Sequence, residues 1–131
     1  MSKKRGSAAE RELLHMFCDH GFSAIRVAGS GSMAEPSCDL LVGNGSLMAA
    51  IECKLTRQKK KYITKEQMNE FVDFSKNFGL TGLIAVKFVR KGWWFISPER
   101  MDDTGKNFAI SLEDIKERGM HFNDLMIKHK K

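Results

Sequence analysis

The sequence predicts an α/β fold in which a central mixed β-sheet of about five strands is flanked by helices. Two apolar runs, "CDLLVG" and "LMAAIECKL", are joined by Asn44-Gly45-Ser46, a turn that is typical of β-hairpins. Both runs are almost continuously apolar, which indicates a sheet covered on both faces. Segments with helical periodicity lie before and after this hairpin, so helices are available to cover the predicted sheet.

The first predicted helix covers residues 7–20, because Leu13, Leu14 and Phe17 share one helical face and Gly21 follows as a stop. The segment "FSAIRVAGSGS" then indicates a strand that runs into a loop rich in glycine and serine. This first helix and strand lead directly into the predicted hairpin.

The second helix is predicted from Thr64 to Phe78, because Thr64 and Gln67 form a capping-box pattern and Gly79 ends the periodicity. Its apolar residues span an arc wider than one small sheet needs, so a second surface is expected to cover the excess. These apolar residues are Met68, Phe71, Val72, Phe74 and Phe78. Two more predicted strands, "GLIAVKFV" and "WWFIS", follow, and Ser111 is expected to cap a short final helix, "SLEDIKERG".

The length of 131 residues suits a single domain, 1–131, with a hydrophobic core. Hydrophobic residues make up 42% and charged residues 29%, which is typical of globular proteins and excludes the disordered and membrane-spanning classes. The basic N-terminus has no hydrophobic segment behind it that could act as a signal peptide, so we expect a cytoplasmic protein with no membrane partner. Its three widely separated cysteines are expected to be reduced.

Positive charge exceeds negative charge along the chain. Lysine and arginine total 22 against 16 acidic residues, which gives a net charge of +6 and a sequence pI near 9.3. A surplus of this size favours a polyanionic partner, because a bound phosphate backbone releases counterions. Nucleic acid is therefore the expected partner, and a surface that is simply well solvated is the alternative.

Charged residues interrupt the second apolar run of the hairpin, in the segment "AIECKLTRQKKK". Strand alternation places Glu52 and Lys54 on one face and their immediate neighbours on the other. Asp39 leads the partner strand, so pairing around Asn44 brings its carboxylate close to that of Glu52. Two close carboxylates repel each other and usually need a shared proton or a cation. A Mg²⁺ ion held by both acids and a backbone carbonyl would supply this cation.

These residues are suited to phosphodiester hydrolysis, which needs an activated water and a stabilised pentavalent phosphate. A divalent ion can serve both needs, and the ammonium group of Lys54 adds positive charge for the phosphate. The spacing D-x(12)-E-x-K fits the minimal signature of metal-dependent nucleases, and an exposed Glu-Lys ion pair is the alternative. A basic run follows at the end of the same strand and favours the nuclease, with a solvated loop as its alternative. Its residues are Arg57, Lys59, Lys60 and Lys61.

The segments "RGSAAEREL", "RVAGSGS", "CDLL" and "IECK" occur in an order that resembles the archaeal Holliday junction resolvases. The resemblance extends from about residue 4 to about residue 95 and includes "FVDFSKNFG", "LIAVKF" and "GWWFI". It implies a restriction-endonuclease-like fold and a Mg²⁺-dependent homodimer, in which Mn²⁺ is expected to substitute for Mg²⁺. The implied activity is symmetric cleavage of four-way junction DNA in recombination and repair.

The resemblance also implies roles for single residues. The residues with an implied catalytic role are Glu10, Ser30, Asp39, Glu52 and Lys54. The metal ligands are expected to be Glu10, Asp39, Glu52 and the backbone carbonyl of Cys53. Contacts with nucleic acid are expected from Lys4, Arg5, Arg11, Arg26, Ser32, Arg57, Lys59, Lys60 and Lys61. Glu10 has a structural alternative, because Ser7 to Glu10 also fits a capping box in which Glu10 binds the Ser7 amide.

The wide apolar face of the second helix gains an explanation from the same resemblance. Phe71, Phe74 and Phe78 are expected at a two-fold interface, with a place in the core as the alternative for Phe71. A dimer would present two active sites to a symmetric junction. Two other functions stay open: a nuclease of the same fold that acts on duplex DNA, and a noncatalytic basic protein that binds nucleic acid.

Overall fold

The computed structural model describes residues 3–27 and 35–131, with side chains from residue 6 onward. Its helices are α1 (Lys3–Asp19), α2 (Lys65–Phe78), α3 (Leu112–Arg118) and α4 (Phe122–Lys128), and Pro98–Arg100 forms a 3-10 turn. Its strands are β1 (Ser23–Arg26), β2 (Leu40–Gly43), β3 (Met48–Thr56), β4 (Lys60–Thr64), β5 (Thr81–Phe88), β6 (Gly92–Ile96), β7 (Asp102–Asp103), β8 (Asn107–Ser111) and β9 (Met120–His121). Among these described helices, none is both long and apolar enough to cross a membrane.

Six strands form the main sheet, in the order β1-β2-β3-β5-β6-β9. β3 and β5 run parallel, from the pair Ala49 and Thr81 to the pair Thr56 and Phe88, and the other neighbouring strands are antiparallel. A parallel pair needs a crossover connection, which contains α2. The mixed sheet flanked by helices confirms the predicted fold class, with six strands where about five were expected.

The predicted hairpin is formed by β2 and β3. In its turn, the side-chain oxygen of Asn44 accepts hydrogen bonds from the backbone N–H of Ser46 at 2.8 Å and of Leu47 at 2.9 Å. Gly45 has a φ of +90°, which residues with a side chain rarely adopt. The Asn-Gly pair therefore has the turn role that the sequence predicted.

Both faces of the main sheet are covered, as the apolar runs predicted. On one face, α1 and α4 place Phe17 and Phe122 in a core cluster with Ile51 of β3. On the other face, α2 places Phe71 in a second cluster with Ile84 of β5. Since side chains alternate along β3, the residues next to Ile51 project toward the α2 side of the sheet.

A second, three-stranded sheet with the order β4-β8-β7 was not predicted. β4 lies partly within the basic run and pairs with β8 in an antiparallel register, with Lys60 opposite Ser111. The small sheet contributes Ile63 and Ile110 to the core cluster on the α2 side. It is therefore the second surface that the wide apolar face of α2 was expected to need.

The helix after Ser111 is not the final one, which corrects the prediction. Ser111 caps α3 as expected, since its Oγ accepts a hydrogen bond from the N–H of Asp114 at 3.0 Å. α4 follows, and it buries Phe122, Leu125 and Met126 at helical spacing. These apolar positions near the C-terminus are the signal for α4 in the sequence.

The two longer helices differ in how well their starts were predicted. α1 begins at Lys3, four residues earlier than expected, so Ser7 lies within the helix and is not its N-cap. α2 begins as predicted, because Thr64 Oγ1 accepts a hydrogen bond from the N–H of Gln67 at 3.1 Å. It also ends as predicted, at Gly79 with a φ of +76°.

Candidate functional site

Asp39 lies immediately before β2, at the level where that strand meets the middle of β3. Its N–H donates to the carbonyl of Ile51 at 3.0 Å, and its carbonyl accepts a hydrogen bond from the N–H of Val27 at 2.9 Å. Its carboxylate oxygen Oδ2 accepts a hydrogen bond from the N–H of Cys53 at 2.8 Å. The β2–β3 ladder ends at Leu40 opposite Ile51, one residue short of both acids, and the charge of Asp39 acts on Glu52, so the two carboxylates lie near each other as the hairpin pairing predicted.

Glu52 is largely buried and lies beside Lys54 on the α2 side of β3. The two side chains are 21% and 17% exposed, and Lys54 Nζ is 3.6 Å from Glu52 Oε2. Burial and then the negative charge of Asp39 raise the pKa of Glu52 to about 7, whereas Lys54 lowers it. The charge of Lys54 thus does not cancel the effects of burial and of Asp39 on Glu52. The alternative from the sequence was an exposed Glu-Lys ion pair, and the low exposure of both side chains differs from it.

Glu10 extends from α1 toward the same acids. Burial raises the pKa of Glu10 and the charge of Asp39 raises it further, whereas Arg26 lowers it. The Nε of Arg26 donates to Glu10 Oε1 at 2.9 Å, and its Nη2 donates to Ser7 Oγ at 3.0 Å. Glu10 is therefore held by an arginine of β1, and the capping box that was its alternative role is wrong because α1 begins before Ser7.

The carboxylates of Glu10, Asp39 and Glu52 are the kind of oxygen ligand that a hard divalent cation requires. In this structure they contact protein groups instead, which are Arg26, the N–H of Cys53 and Lys54, respectively. Within residues 6–27 and 35–131, no set of three or more acidic, histidine or cysteine side chains is already arranged to hold a metal ion. The pKa of Glu52 is raised first by burial and then by the negative charge of Asp39, and a bound cation would offset both effects. Oxygen ligands are those that Mg²⁺ prefers, so the donor set fits such an ion.

The residues of the basic run after β3 differ in their exposure to solvent. Burial and then the charge of Lys54 lower the pKa of Lys61, which means that the two ammonium groups lie in the same region. Arg57, Lys59 and Lys60 are exposed. The run is therefore more than a solvated loop, since Lys61 is partly buried and lies within electrostatic reach of Lys54.

The structure gives less information on five other predicted residues. Ser30 and Ser32 lie outside the described residues, in the gap between residues 27 and 35. Lys4 and Arg5 lie in α1, with only their backbone described. Arg11 follows Glu10 on α1 and is exposed. Contact of these residues with DNA, and a role of the serines in cleavage, stay predictions.

The three phenylalanines predicted for an interface have different surroundings. Phe71 is 2% exposed and packs in the core of the chain, which corrects its assignment to an interface. Phe74 is partly buried, and its ring centre lies 5.2 Å from that of Phe78, which is 60% exposed. Beside Phe78, the exposed side chains of Ile25 and Met48 border an open apolar groove of about 320 Å³.

A basic cavity beside α1 was not predicted from the sequence. Its volume is about 560 Å³, and Arg57, Lys87 and Arg90 contribute positive charge to its lining. Glu12 of α1 accepts hydrogen bonds from Lys87 Nζ at 2.6 Å and from the indole N–H of Trp93 at 3.2 Å. Sequence spacing carries no signal for this group, because its members meet only after α1 packs on the sheet.

Comparison with known proteins identifies relatives along the whole chain. The family model described as archaeal Holliday junction resolvase (Hjc) matches residues 1–131. The crossover junction endodeoxyribonuclease Hjc of Archaeoglobus fulgidus is 38% identical over 108 residues, which cover 82% of this chain and 79% of that protein. The protein of the same name from Methanocaldococcus jannaschii is 34% identical over 123 residues, which cover 94% of this chain and 87% of that protein.

A solved structure agrees with these relatives. The structure of Archaeoglobus fulgidus Hjc, described as a Holliday junction resolvase from an archaeal hyperthermophile, matches with a TM-score of 0.85 at 34% identity. The match covers 93% of this chain and 98% of that chain. The ordered motifs of the sequence, the family model and the shared fold agree, and the chain belongs to the archaeal Holliday junction resolvase family.

Proposed function

We propose that residues 1–131 form one nuclease domain, which cuts four-way junction DNA with Mg²⁺ in recombination and repair. The observation that carries this proposal is the convergence of Asp39, Glu52 and Lys54 near the middle of β3, where β2 ends. Asp39 Oδ2 lies 2.8 Å from the N–H of Cys53, and Lys54 Nζ lies 3.6 Å from Glu52 Oε2. Membership of a family described as Holliday junction resolvases supports the choice of substrate.

The residues of the site have separate tasks in the proposed hydrolysis. Glu10, Asp39 and Glu52, with the carbonyl of Cys53, would hold a divalent cation, which when bound supplies positive charge for the phosphate and for activation of water. Lys54 would stabilise the extra negative charge that the phosphate gains during attack. Its side chain is only 17% exposed, so its charge acts in surroundings less polar than water. Mn²⁺ is expected to substitute for Mg²⁺, because both accept oxygen ligands.

The basic residues after β3 would bind the DNA backbone near the reacting phosphate. Lys61 is partly buried within electrostatic reach of Lys54, and Arg57, Lys59 and Lys60 present exposed charge. Each neutralised phosphate releases counterions, so the logarithm of junction affinity should fall by about 0.9 per phosphate contact for each tenfold rise in salt.

The protein is also proposed to act as a homodimer in the cytoplasm. Ile25, Met48 and Phe78 are between 57% and 60% exposed and together border an apolar groove that a second copy would cover. A two-fold dimer would present two equal sites to the two opposed strands of a symmetric junction. Phe74 supports this surface through its ring contact with Phe78.

Cleavage of a four-way junction by the Asp39→Asn variant tests the proposed chemistry. Asparagine keeps an oxygen that can accept the hydrogen bond from Cys53, but it removes the negative charge. We expect cleavage to fall at least about a hundredfold, as when other charge-stabilising groups are removed from active sites. Junction binding in EDTA should stay equal or become tighter, because an anion near the phosphates is lost. Normal cutting by this variant in Mg²⁺ would refute the assigned chemistry.

Two comparisons separate the proposal from its alternatives. Equal cleavage of the junction and of its component duplexes would indicate a nuclease that acts on linear DNA. Salt-sensitive binding by the wild-type protein, without cleavage in Mg²⁺ or Mn²⁺, would indicate a noncatalytic nucleic-acid-binding protein. The exposed Arg100 lies outside the proposed site, so Arg100→Gln serves as the control for a general loss of positive charge.

A further inference from the structure

Arg26 joins β1 to α1 through two hydrogen bonds from one guanidinium group. Its Nε donates to Glu10 Oε1 at 2.9 Å, and its Nη2 donates to Ser7 Oγ at 3.0 Å. Ser7 and Glu10 are three residues apart on α1, so they lie on the same helical face. The planar group thus has two acceptors at fixed places, which restricts it far more than a single ion pair would.

The same arginine is connected to the acids of the sheet through the backbone. Arg26 is paired with Leu40 in the β1–β2 ladder, and the next N–H, that of Val27, donates to the carbonyl of Asp39 at 2.9 Å. The carboxylate of Asp39 in turn accepts the N–H of Cys53 at 2.8 Å. Arg26 therefore binds α1 through its side chain, and the next residue, Val27, binds the backbone of Asp39, whose carboxylate binds β3.

We propose that Arg26 and Ser7 are positioning residues for Glu10. Arg26 engages Oε1 of Glu10 and so sets the direction of Oε2, the oxygen that we assign to the divalent cation; Ser7 holds the guanidinium in the orientation that does this. The inference rests on the proposed function, since it takes Glu10 as a ligand of the cation. It assigns Ser7 a role in the site, and it gives Arg26 a task other than contact with a DNA phosphate.

Charge and geometry both favour this role for Arg26. The acids Glu10, Asp39 and Glu52 bring three negative groups into one region, and the hydrogen bond and the charge of Arg26 lower the pKa of Glu10. A glutamate on a helix has several side-chain rotamers, so an oxygen ligand from α1 needs a partner that selects one of them. Groups that hold metal ligands in this way typically change metal affinity by about 10- to 100-fold when they are removed.

Mn²⁺ binding to the DNA-free protein tests the inference without measuring activity. We expect Arg26→Gln to weaken Mn²⁺ binding by at least about tenfold, measured by calorimetry or by the electron paramagnetic resonance of free Mn²⁺. Ser7→Ala removes one hydrogen bond and should weaken binding by about two- to tenfold, and Ser7→Thr, which keeps the hydroxyl, should restore it. Ser7→Ala should add nothing in the Arg26→Gln background, because Ser7 acts through the arginine. The control Arg100→Gln should leave Mn²⁺ binding unchanged.

Junction affinity in EDTA distinguishes positioning from direct contact with DNA. If Arg26 positions Glu10, Arg26→Gln should keep the salt dependence of junction binding. If Arg26→Gln leaves Mn²⁺ binding unchanged but lowers the salt slope by about one phosphate contact, Arg26 binds DNA directly and the inference is overturned. Alanine is a good helix former, so Ser7→Ala should stay folded, and urea unfolding of each variant checks this.

Two further variants separate failure of this inference from failure of the proposed function. If Glu10→Gln leaves Mn²⁺ binding unchanged while Asp39→Asn abolishes it, Glu10 is not a ligand; the inference is then overturned and the metal-dependent nuclease stands. If Glu10→Gln weakens Mn²⁺ binding but Arg26→Gln and Ser7→Ala do not, the positioning role alone is overturned. If Asp39→Asn also leaves Mn²⁺ binding and junction cleavage intact, the proposed function itself fails.

Discussion

Replacement of Glu52 by glutamine is expected to stabilise the metal-free protein at neutral pH. The pKa of Glu52 rises from an ordinary value of 4.5 to about 7, chiefly through burial and then through the charge of Asp39. At about 1.4 kcal/mol for each pKa unit, ionisation of this carboxyl in the folded state costs up to about 3 kcal/mol. Glutamine removes that cost and also loses the contact with Lys54, so we expect a net gain of about 1 to 3 kcal/mol.

The pH dependence of this gain follows from the direction of the pKa shift. The folded protein binds the Glu52 proton more tightly than the unfolded chain does, so the proton contributes stability that is fully present below about pH 4.5. Wild-type stability should fall as the pH rises from about 4.5 to about 7, and the variant should lack this decrease. The advantage of Glu52→Gln is therefore expected to be absent near pH 4 and complete above pH 7.

Urea unfolding in EDTA between pH 4 and pH 8, at one fixed protein concentration, measures this difference. Glu70→Gln, at an exposed glutamate of α2, is the matched control and should show no such pH dependence. A gain of equal size at every pH would contradict the reasoning, and so would a variant that is less stable than the wild type at pH 8. Saturating Mg²⁺ should reduce the advantage, because the proposed cation would stabilise the folded wild type by mass action.

Three other substitutions test the proposed dimer surface, the packing of α2 on the sheet and the cap of α3. Phe78→Ser should weaken self-association at least tenfold in analytical ultracentrifugation without unfolding the chain, whereas Ile127→Ser, at a residue 74% exposed on α4, should leave it unchanged. Gly82→Ala should destabilise the fold by about 1 to 3 kcal/mol, because its methyl group would lie 2.8 Å from a serine hydroxyl of α2; Gly6→Ala, with nothing within 4 Å, should not. Ser111→Ala should cost about 1 kcal/mol through loss of the α3 cap, and an unchanged free energy of unfolding in urea would contradict that role.

The parts of the fold that could be predicted are those fixed by neighbouring residues. Alternation along β3 and the turn at Asn44 were sufficient to bring Asp39, Glu52 and Lys54 together, because a short hairpin leaves few choices of register. The caps of α2 and α3 were predicted for the same reason, since each involves two residues three positions apart.

The parts that were missed depend on contacts between distant segments. β4 has basic residues that look like a loop, and it becomes a strand by pairing with β8, where Tyr62 lies opposite Ala109. The contact of Arg26 with Ser7 and Glu10 requires α1 and β1 to lie side by side, and no spacing in the sequence encodes that. The same limit applies to Phe71, because periodicity alone does not tell a core face from an interface.

The place of the site in the sheet explains how acids and a lysine can share a strand that is otherwise part of the core. β3 continues to Thr56, but its pairing with β2 ends at Ile51, so its last residues have β5 on one side and no β2 partner on the other in the described chain. At this point the carboxylate of Asp39 takes the N–H of Cys53 that a longer β2 would have engaged. Early termination of β2 therefore places a carboxylate near Glu52 and leaves that edge of β3 available for the proposed cation and phosphate. In a variant with β2 extended past Asp39, a backbone carbonyl of β2 would accept the hydrogen bond from the N–H of Cys53. We expect such a variant to lose the open edge of β3, and with it the site, even though every acid is retained.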